Sequence, residues 1–513
     1  MGKEFTKEEV AVHNKEGDLW IIVDSRVYDL SEFSDLHPGG LAVLLSVAGK
    51  DATEEFYSLH RQSVIIRLGS KYEIGSIKGA EPKIPLQQPG DISEVPYAEP
   101  TAWQGWHSPY YNDSHFKFRS ALRKFVFEEV YPTASANDES GTPASIELYK
   151  KMGGFGWLAS RIGPGKHLKG FNLPGGVKPE EFDYFHEMIA HEELASMGIN
   201  GYQDSLATGM IIGLPPVIHF GPKWMQEKVV GPVLRGEKRI CLAISEATAG
   251  SDVANIKTTA IKSPCGKFYI VNGTKKWITN GTFCDFFSTA VRTGKGPGGI
   301  SMLLIERGDG LETKKIKTSY SPSAGTSFIT FDNVKVPVEN LLHKENKGFQ
   351  VIMYNFNHER WLIIAGCLRS TRLVVEECFK WANQREVFGK KLIEQPVIRN
   401  KLAHMIGEVE AVHNWLESIT YQMNKMGYME AAVKLAGPIA LCKLRCTRVS
   451  HYVSDEACQI FGGRGITKTG MGTVVENFQR TYKFGAILGG SEEIMADLGV
   501  RQAMRTFPKG AKL

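Results

Sequence analysis

Two groups of residues in this chain are of types that could do chemistry. His358, Glu359 and Arg360 stand together on an otherwise apolar helical stretch, within Asn357-His358-Glu359-Arg360-Trp361. A carboxylate there acts as a base towards a weakly acidic proton if burial raises its pKa. Taken alone, an acid beside an arginine also reads as a solvated patch or a structural ion pair. The second group is His37, in a turn with Pro38, Gly39 and Gly40, and His60, at the end of a helical segment. Neutral imidazoles ligate metals, although a lone histidine in a small domain is more often a satisfied core or surface residue.

The units that must position these groups differ in pattern. Residues 1–78 run as a helix signal, an alternating strand (LWIIVDSRVYDL), the turn SEFSDLHPGG, a helix and AGKDATEEFYSLH, a self-contained unit. Glu4 to Val10 already belongs to it, so no cleavable signal is expected. Thr6 is expected to cap the first helix, a better reading than the loose myristoylation template that Met1-Gly2 and Thr6 also fit. Pro82, Pro85, Pro89, Pro96 and Pro100 mark 79–111 as a proline-rich, semi-rigid linker, expected to wrap on the next domain through Trp103 and Trp106. Over 112–239 helical spacing dominates. Between 240 and 345 the period falls towards two, and CLAIS, FYIVNGTKKWITN, FFSTAVRT, SMLLIER and TSFITFDNV read as strands. The chain is helical again over 346–506, with helices near 349–384, 396–426, 429–463 and 491–506, and 507–513 is a tail. His186, His191 and His219 show no ligand pairing.

Bulk properties narrow the function classes. At 513 residues two to four domains are expected. A formal charge of +5 with no long basic run argues against nucleic acid, and the longest apolar runs fall far short of the ~20 residues of a membrane span. Eight cysteines without a CxxC pair or zinc spacing read as buried, reduced thiols, with Cys442 and Cys446 packing on one helix face. Ala511-Lys512-Leu513 is a close variant of the Ser-Lys-Leu peroxisomal address, so a peroxisomal location is expected, or a cytoplasmic one if the address is not read.

HPGG with a second histidine at this separation makes residues 1–78 resemble the cytochrome b5 heme domain over its whole length. The resemblance implies heme b, its iron held by His37 and His60 and therefore closed to oxygen, as a one-electron carrier. Phe33, Leu36, Leu44, Leu45, Phe56 and Leu59 are the candidates for its crevice.

From 112 to 506 the strings ISEATAGSDVANIKT, NGTKKWITNG, VPVENLL, NQREVFGK, QIFGGRGI and LGGSEEIM occur in family order, and this part resembles the acyl-CoA dehydrogenase family. The fold implied is multidomain: a small α+β cytochrome b5-like domain, then an α-helical domain, a β-barrel domain and a C-terminal four-helix bundle. The first string departs from the family in Ala247 and Thr248, where proline and glycine are usual, which puts its turn geometry in question. The resemblance implies FAD; Gly294–Gly299 is a loop between strands, not a dinucleotide-binding turn. Ser245 matches the position bonded to the flavin ring, and Trp277 and Thr279 match the pair that shields and contacts it. Arg385, Phe388, Gln395, Gln459, Gly462 and Gly463 match residues holding pyrophosphate and adenosine, partly of a neighbouring subunit's FAD. Ser491 and Glu493 match positions near FAD. A homo-oligomer, dimer or tetramer, follows from the resemblance.

The reaction implied is α,β-dehydrogenation of an acyl-CoA thioester. Where many members carry the catalytic glutamate, just before Gly490, this chain has Gly489. The branch resembling isovaleryl- and long-chain acyl-CoA dehydrogenases shares that glycine and uses a helix glutamate, which maps onto Glu359; Glu492 and Glu493 are rivals by proximity. Gly489 is expected to offer its backbone N–H to the thioester oxygen. Ser251 and Arg360 match residues that bind the CoA part, and Asn357 stands where the family has an aspartate. With heme on the same polypeptide, electrons are expected to pass from FAD to heme and on to an unknown acceptor. The alternatives are an oxidase-like enzyme that uses oxygen directly and a catalytically silent heme and acyl-CoA binding protein.

Overall fold

The computed structural model describes residues 3–511. Met1 and Gly2 of the myristoylation template, and Lys512 and Leu513 of the expected peroxisomal address, lie outside the described residues. In the first unit, strands β1 (Lys3–Phe5), β2 (Asn14–Lys15), β3 (Asp18–Val23), β4 (Arg26–Asp29) and β5 (Glu73–Ile77) form a sheet in the order β1-β5-β4-β3-β2. Thr6 caps α1 (Lys7–Ala11) in a reciprocal box: its hydroxyl accepts from the Glu9 N–H at 3.1 Å while Glu9 accepts from the Thr6 N–H at 2.7 Å. Leu19, Ile21 and Val23 alternate along β3 into one core with Leu44 and Ala48 of α2 (Leu41–Val47 and its cap) and Ile65 of α4 (Ser63–Tyr72). Between them, α3 (Thr53–Leu59) ends at its cap residue His60, and His37 follows a one-turn helix at Ser34–Leu36. Each histidine thus stands at the C-terminal cap of a short helix.

The proline-rich segment is pinned, not merely stiff. Glu99 is buried and bonds Arg119 at 2.7 Å, Arg123 at 2.6 Å and Arg369 at 3.1 Å, so the segment is tied to two other parts of the chain. Of the two tryptophans expected to wrap, Trp103 is buried under the Arg119 guanidinium, whereas Trp106 stays exposed. Trp106 is flanked by glycine and a polar turn and finds no apolar face to cover it.

Helix α5 (Asp113–Phe125) and helix α6 (Tyr184–Ala195) lead the next, helical unit; every residue of α6 except the first is buried, which is why its pattern shows little amphipathy. The β unit is an eight-stranded sheet: β6 (Ile240–Ala243), β7 (Thr259–Lys262), β8 (Phe268–Ile278), β9 (Phe286–Arg292), β10 (Ile300–Glu306), β11 (Leu311–Lys315), β12 (Ser327–Pro337) and β13 (Leu341–Leu342), in the order β11-β12-β8-β7-β9-β10-β13 with β6 on β9. β7 and β11 have no counterpart in the sequence reading, because their lysines and glutamate face solvent and hide the alternation. The doubtful turn closes without proline or glycine: Glu246 and Ala249 exchange backbone bonds of 3.1 and 3.2 Å, and neither Ala247 nor Thr248 takes a positive φ.

Four long helices follow: α7 (Gly348–Gln384), α8 (Pro396–Lys425), α9 (Ala436–Phe461) and α10 (Glu492–Arg505). Met405, Val409, Val412, Leu416, Ile419 and Met423 recur every three or four residues on α8 and meet Ile364, Leu368 and Val375 of α7 and Cys442, Cys446, Val449 and Val453 of α9. Cys442 and Cys446 are thus packing, as read, but Cys265 is exposed in a polar turn and Cys367 and Cys458 are half-buried, against the expectation that all the thiols are buried. No helix among the described residues is long and apolar enough to cross a membrane.

Candidate active site

Glu359 lies on the buried face of α7, a turn before Ile363 and Ile364. Its Oε1 is 3.7 Å from the point where a Cβ on Gly489 would stand. Burial pushes its carboxyl above the ordinary glutamate range, against the pull of Arg360, Lys443 and His358. A buried acid without a tight ion pair, beside a stretch of bare backbone, is the environment a base for a weak carbon acid needs. The two rivals are placed otherwise. Glu493 is exposed, and Glu492 accepts from Thr447 at 2.8 Å with Arg448 at 3.3 Å, in the first turn of α10, which Ser491 caps.

The neighbouring segment is held by cations. Arg360 Nε donates to Gly489 O at 2.9 Å and a terminal nitrogen reaches Asn357 Oδ1 at 3.3 Å. Arg360 is buried, so the group expected on CoA is at least partly spent on the Gly489 backbone. Ser251 lies exposed beyond the Glu246–Ala249 turn. The sequence reading missed Lys443, whose only signal is a cation on the buried stripe of α9, and the pair of His358 Nε2 with buried Glu187 at 2.7 Å. It also missed the grouping of His186 with His115 and Asp183; these side chains bond one another while capping α5 and α6, a structural use of all three.

The residues assigned to FAD fall at two places. Ser245 and Trp277 are adjacent, because Lys276 N–H donates to Ser245 O at 2.9 Å. Trp277 takes a φ of 68° and is 54% exposed at the end of β8, two residues before Thr279. A large flat ring held open in a left-handed backbone state fits a planar ligand laid against it. Arg385, Phe388 and Gln395 lie past the far end of α7, with Phe388 98% exposed at a φ of 53°. Gln459, Gly462 and Gly463 join them there, since Phe461 stacks on Trp381 at 5.4 Å. The 26 residues of helix from Glu359 to Arg385 span about 39 Å. The second place therefore stands at the end of α7 remote from Glu359.

The heme assignment passes a separate test. The His37 and His60 rings have centroids 5.9 Å apart. Metal–imidazole bonds of about 2 Å on either side of one ion require roughly that spacing. His60 Nδ1 bonds Phe56 O at 3.1 Å, which leaves Nε2 free as a ligand, and burial lowers its pKa and keeps the ring neutral. His37 Nδ1 is buried without a hydrogen-bond partner. Phe33 and Phe56 flank the two rings, Leu44 belongs to the core, and Leu36, Leu45 and Leu59 stay exposed on the same helices. The next residue, Arg61, forks onto Glu377 of α7, with one arm at 2.8 Å, and donates to Met471 O at 3.0 Å. Gln384 adds a bond to Tyr57 O. The histidine pair is thus docked on the helix that carries Glu359, 18 residues or about 27 Å along it.

Family models match in the same order. A cytochrome b5-like heme/steroid binding domain covers residues 6–78, and the N-terminal, middle and C-terminal domains of acyl-CoA dehydrogenase cover 112–237, 241–334 and 346–504. The acyl-CoA dehydrogenase apdG of Emericella nidulans is 40% identical over 81% of this chain and 97% of its own length. The acyl-CoA dehydrogenase AFT10-1 of Alternaria alternata is 39% identical over 80% and 96%. Among solved structures, butyryl-CoA dehydrogenase from Megasphaera elsdenii aligns with a TM-score of 0.69 at 26% identity, over 78% of this chain and all of the other.

Proposed function

The chain belongs to the acyl-CoA dehydrogenase family, an FAD-dependent oxidoreductase joined to a cytochrome b5-like heme domain, and on that premise we propose that Glu359 is the base that takes the α-proton of an acyl-CoA thioester. The observation that carries this reading is the 3.7 Å between Glu359 Oε1 and the missing side chain of Gly489. FAD, when bound, supplies the acceptor for the hydride leaving the β-carbon. Ser245, Trp277 and Thr279 are the residues that would hold its ring, and Arg385, Phe388, Gln395, Gln459, Gly462 and Gly463 those for its pyrophosphate and adenosine, with Ser491 and Glu493 nearby. Glu359 takes the proton in its ionised form, and its burial, with Ile363 Cδ1 at the same Gly489 position, limits the hydration that would stabilise that form too well. The Gly489 N–H is the donor for the charge that develops on the thioester oxygen. Ser251, and what Arg360 has left to offer, serve the CoA part.

His37 and His60 would hold heme, which when bound would supply a one-electron acceptor for the flavin's electrons on the same polypeptide. Support comes from the shared polypeptide and from the docking of that centre on α7. Anaerobic stopped-flow absorbance after acyl-CoA addition tests it. Flavin bleaching followed by reduced-heme bands within a turnover is expected; bleaching without those bands rejects the heme step, and stoichiometric peroxide in air selects an oxidase-like enzyme. The ending Ala511-Lys512-Leu513 carries the proposed peroxisomal location, checked by imaging a tagged chain with and without those three residues.

A further inference from the structure

Lys443 is a lysine almost without solvent contact, 1% exposed, in the middle of a packed helical seam. Its ammonium donates to Gly485 O at 3.0 Å and to Gly490 O at 2.8 Å. With Arg360 on Gly489 O, three carbonyls of the short helix Lys483–Ile487 and the glycine turn after it are tied to two buried cations. The turn needs tying. Gly489 and Gly490 take φ values of 65° and 109°, a pair of left-handed conformations that only glycine adopts without strain and that the local chain does little to fix. The peptide bearing the Gly489 N–H lies between the held carbonyl of Gly485 and the held carbonyls of Gly489 and Gly490.

Lys443 also stands where the chemistry is read to occur. Its Cε is 3.7 Å from the point of a Gly489 Cβ, the same distance as Glu359 Oε1. The lysine stem and the carboxylate therefore flank one spot from two helices. A buried ammonium costs several kcal/mol unless its donors are met, and here carbonyls meet them instead of a carboxylate. An arrangement that spends a buried charge on backbone carbonyls fixes a geometry, since a neutral side chain would pack the seam as well.

The geometry points to Lys443 as a positioning residue for the thioester site: it sets the direction of the Gly489 N–H and holds a positive charge beside the spot where the thioester oxygen gains negative charge. This rests on the reading of Glu359 as base and deepens it. The groups facing Lys443 are Glu359, Arg360 and Cys367 on α7 and Cys446 on α9, and burial lowers its pKa to about 8. Its hold on the turn is then complete below that pH and weakens above it.

The test is exchange of the α-proton of a saturated acyl-CoA for deuterium in D2O, followed by NMR on the FAD-loaded protein. Glu359 takes the proton, its carboxyl trades that proton for deuterium with D2O, and the deuteron is returned to the α-carbon, so no net oxidation is needed. For K443M, exchange slower by on the order of 10- to 100-fold, with acyl-CoA affinity changed less than about threefold, is expected. K443R should recover most of the rate and lose the decline above about pH 8 that the unmodified protein shows, since guanidinium keeps its proton. Thermal melting and bound FAD report whether each variant is folded; if K443M is not, the alkaline behaviour of K443R decides alone. Exchange in folded K443M at the unmodified rate, or a K443R profile with the alkaline decline intact, overturns the role of Lys443. E359Q in parallel separates the two readings: exchange at full rate there removes Glu359 as base, whereas a dead E359Q beside an unimpaired K443M removes only Lys443.

Discussion

Glu359 and Gly489 lie 130 residues apart in sequence, yet Glu359 Oε1 sits 3.7 Å from where a side chain at Gly489 would begin. The carboxylate supplied from α7 thus reaches the ground left bare at the other position.

That placement has a pH consequence. Burial raises the Glu359 pKa above the ordinary glutamate value, and the base works only when ionised. The rate of flavin reduction by acyl-CoA should therefore fall with decreasing pH through a midpoint higher than that of an exposed glutamate. Rapid-mixing rates between about pH 5 and 8 check this; a rate flat to below pH 5 contradicts it.

Gly489 should not tolerate alanine. The new Cβ would lie 2.8 Å from Ile363 Cδ1 at a φ of 65°, so the backbone must shift as well as the side chain. A loss of about 1–3 kcal/mol in stability, read by thermal melting, and a fall in turnover larger than the fall in acyl-CoA binding are expected for G489A.

Removing either iron ligand should separate the two cofactors. H37A and H60A are expected to lose the heme absorption bands while keeping bound FAD and flavin bleaching by acyl-CoA, because the heme unit meets α7 at Glu377, 18 residues past Glu359. Absorption spectra of the purified variants decide this.

The docking of the heme unit includes one buried ion pair. Glu377 is buried and Arg61 holds its carboxyl below the ordinary range despite the opposing effect of burial. R61A leaves that acid uncompensated and is expected to cost about 2–3 kcal/mol. R61A/E377Q should cost less than R61A alone. Melting curves of the two variants, with limited proteolysis of the 79–111 segment, measure the difference; equal loss in both would mean that the pair does not couple.

Much of this was legible in the sequence because local spacing carries it. The α8 stripe, the alternation of β3 and the HPGG turn announce their structure within a few residues. The family strings supplied Glu359 as the base candidate, which spacing alone left as a patch or an ion pair. Three things were out of reach. Lys443 reads as an ordinary helix lysine until the fold brings the Gly485–Gly490 carbonyls to it from 42 to 47 residues away. Glu99 reads as a linker acid until three arginines from two helices surround it. Arg61 shows nothing of Glu377, 316 residues on. Each is a charged residue whose partners are set by tertiary packing, and no local pattern encodes such a partner.

The most direct measurement is anaerobic mixing of acyl-CoA with the unmodified protein and with E359Q, both loaded with FAD and heme, following flavin absorbance. Immediate bleaching in the first and none in the second, with the cofactor spectra of the two proteins otherwise identical, is the expected result. Bleaching of E359Q at the unmodified rate would contradict the assignment of the base and leave Gly489 without its substitute.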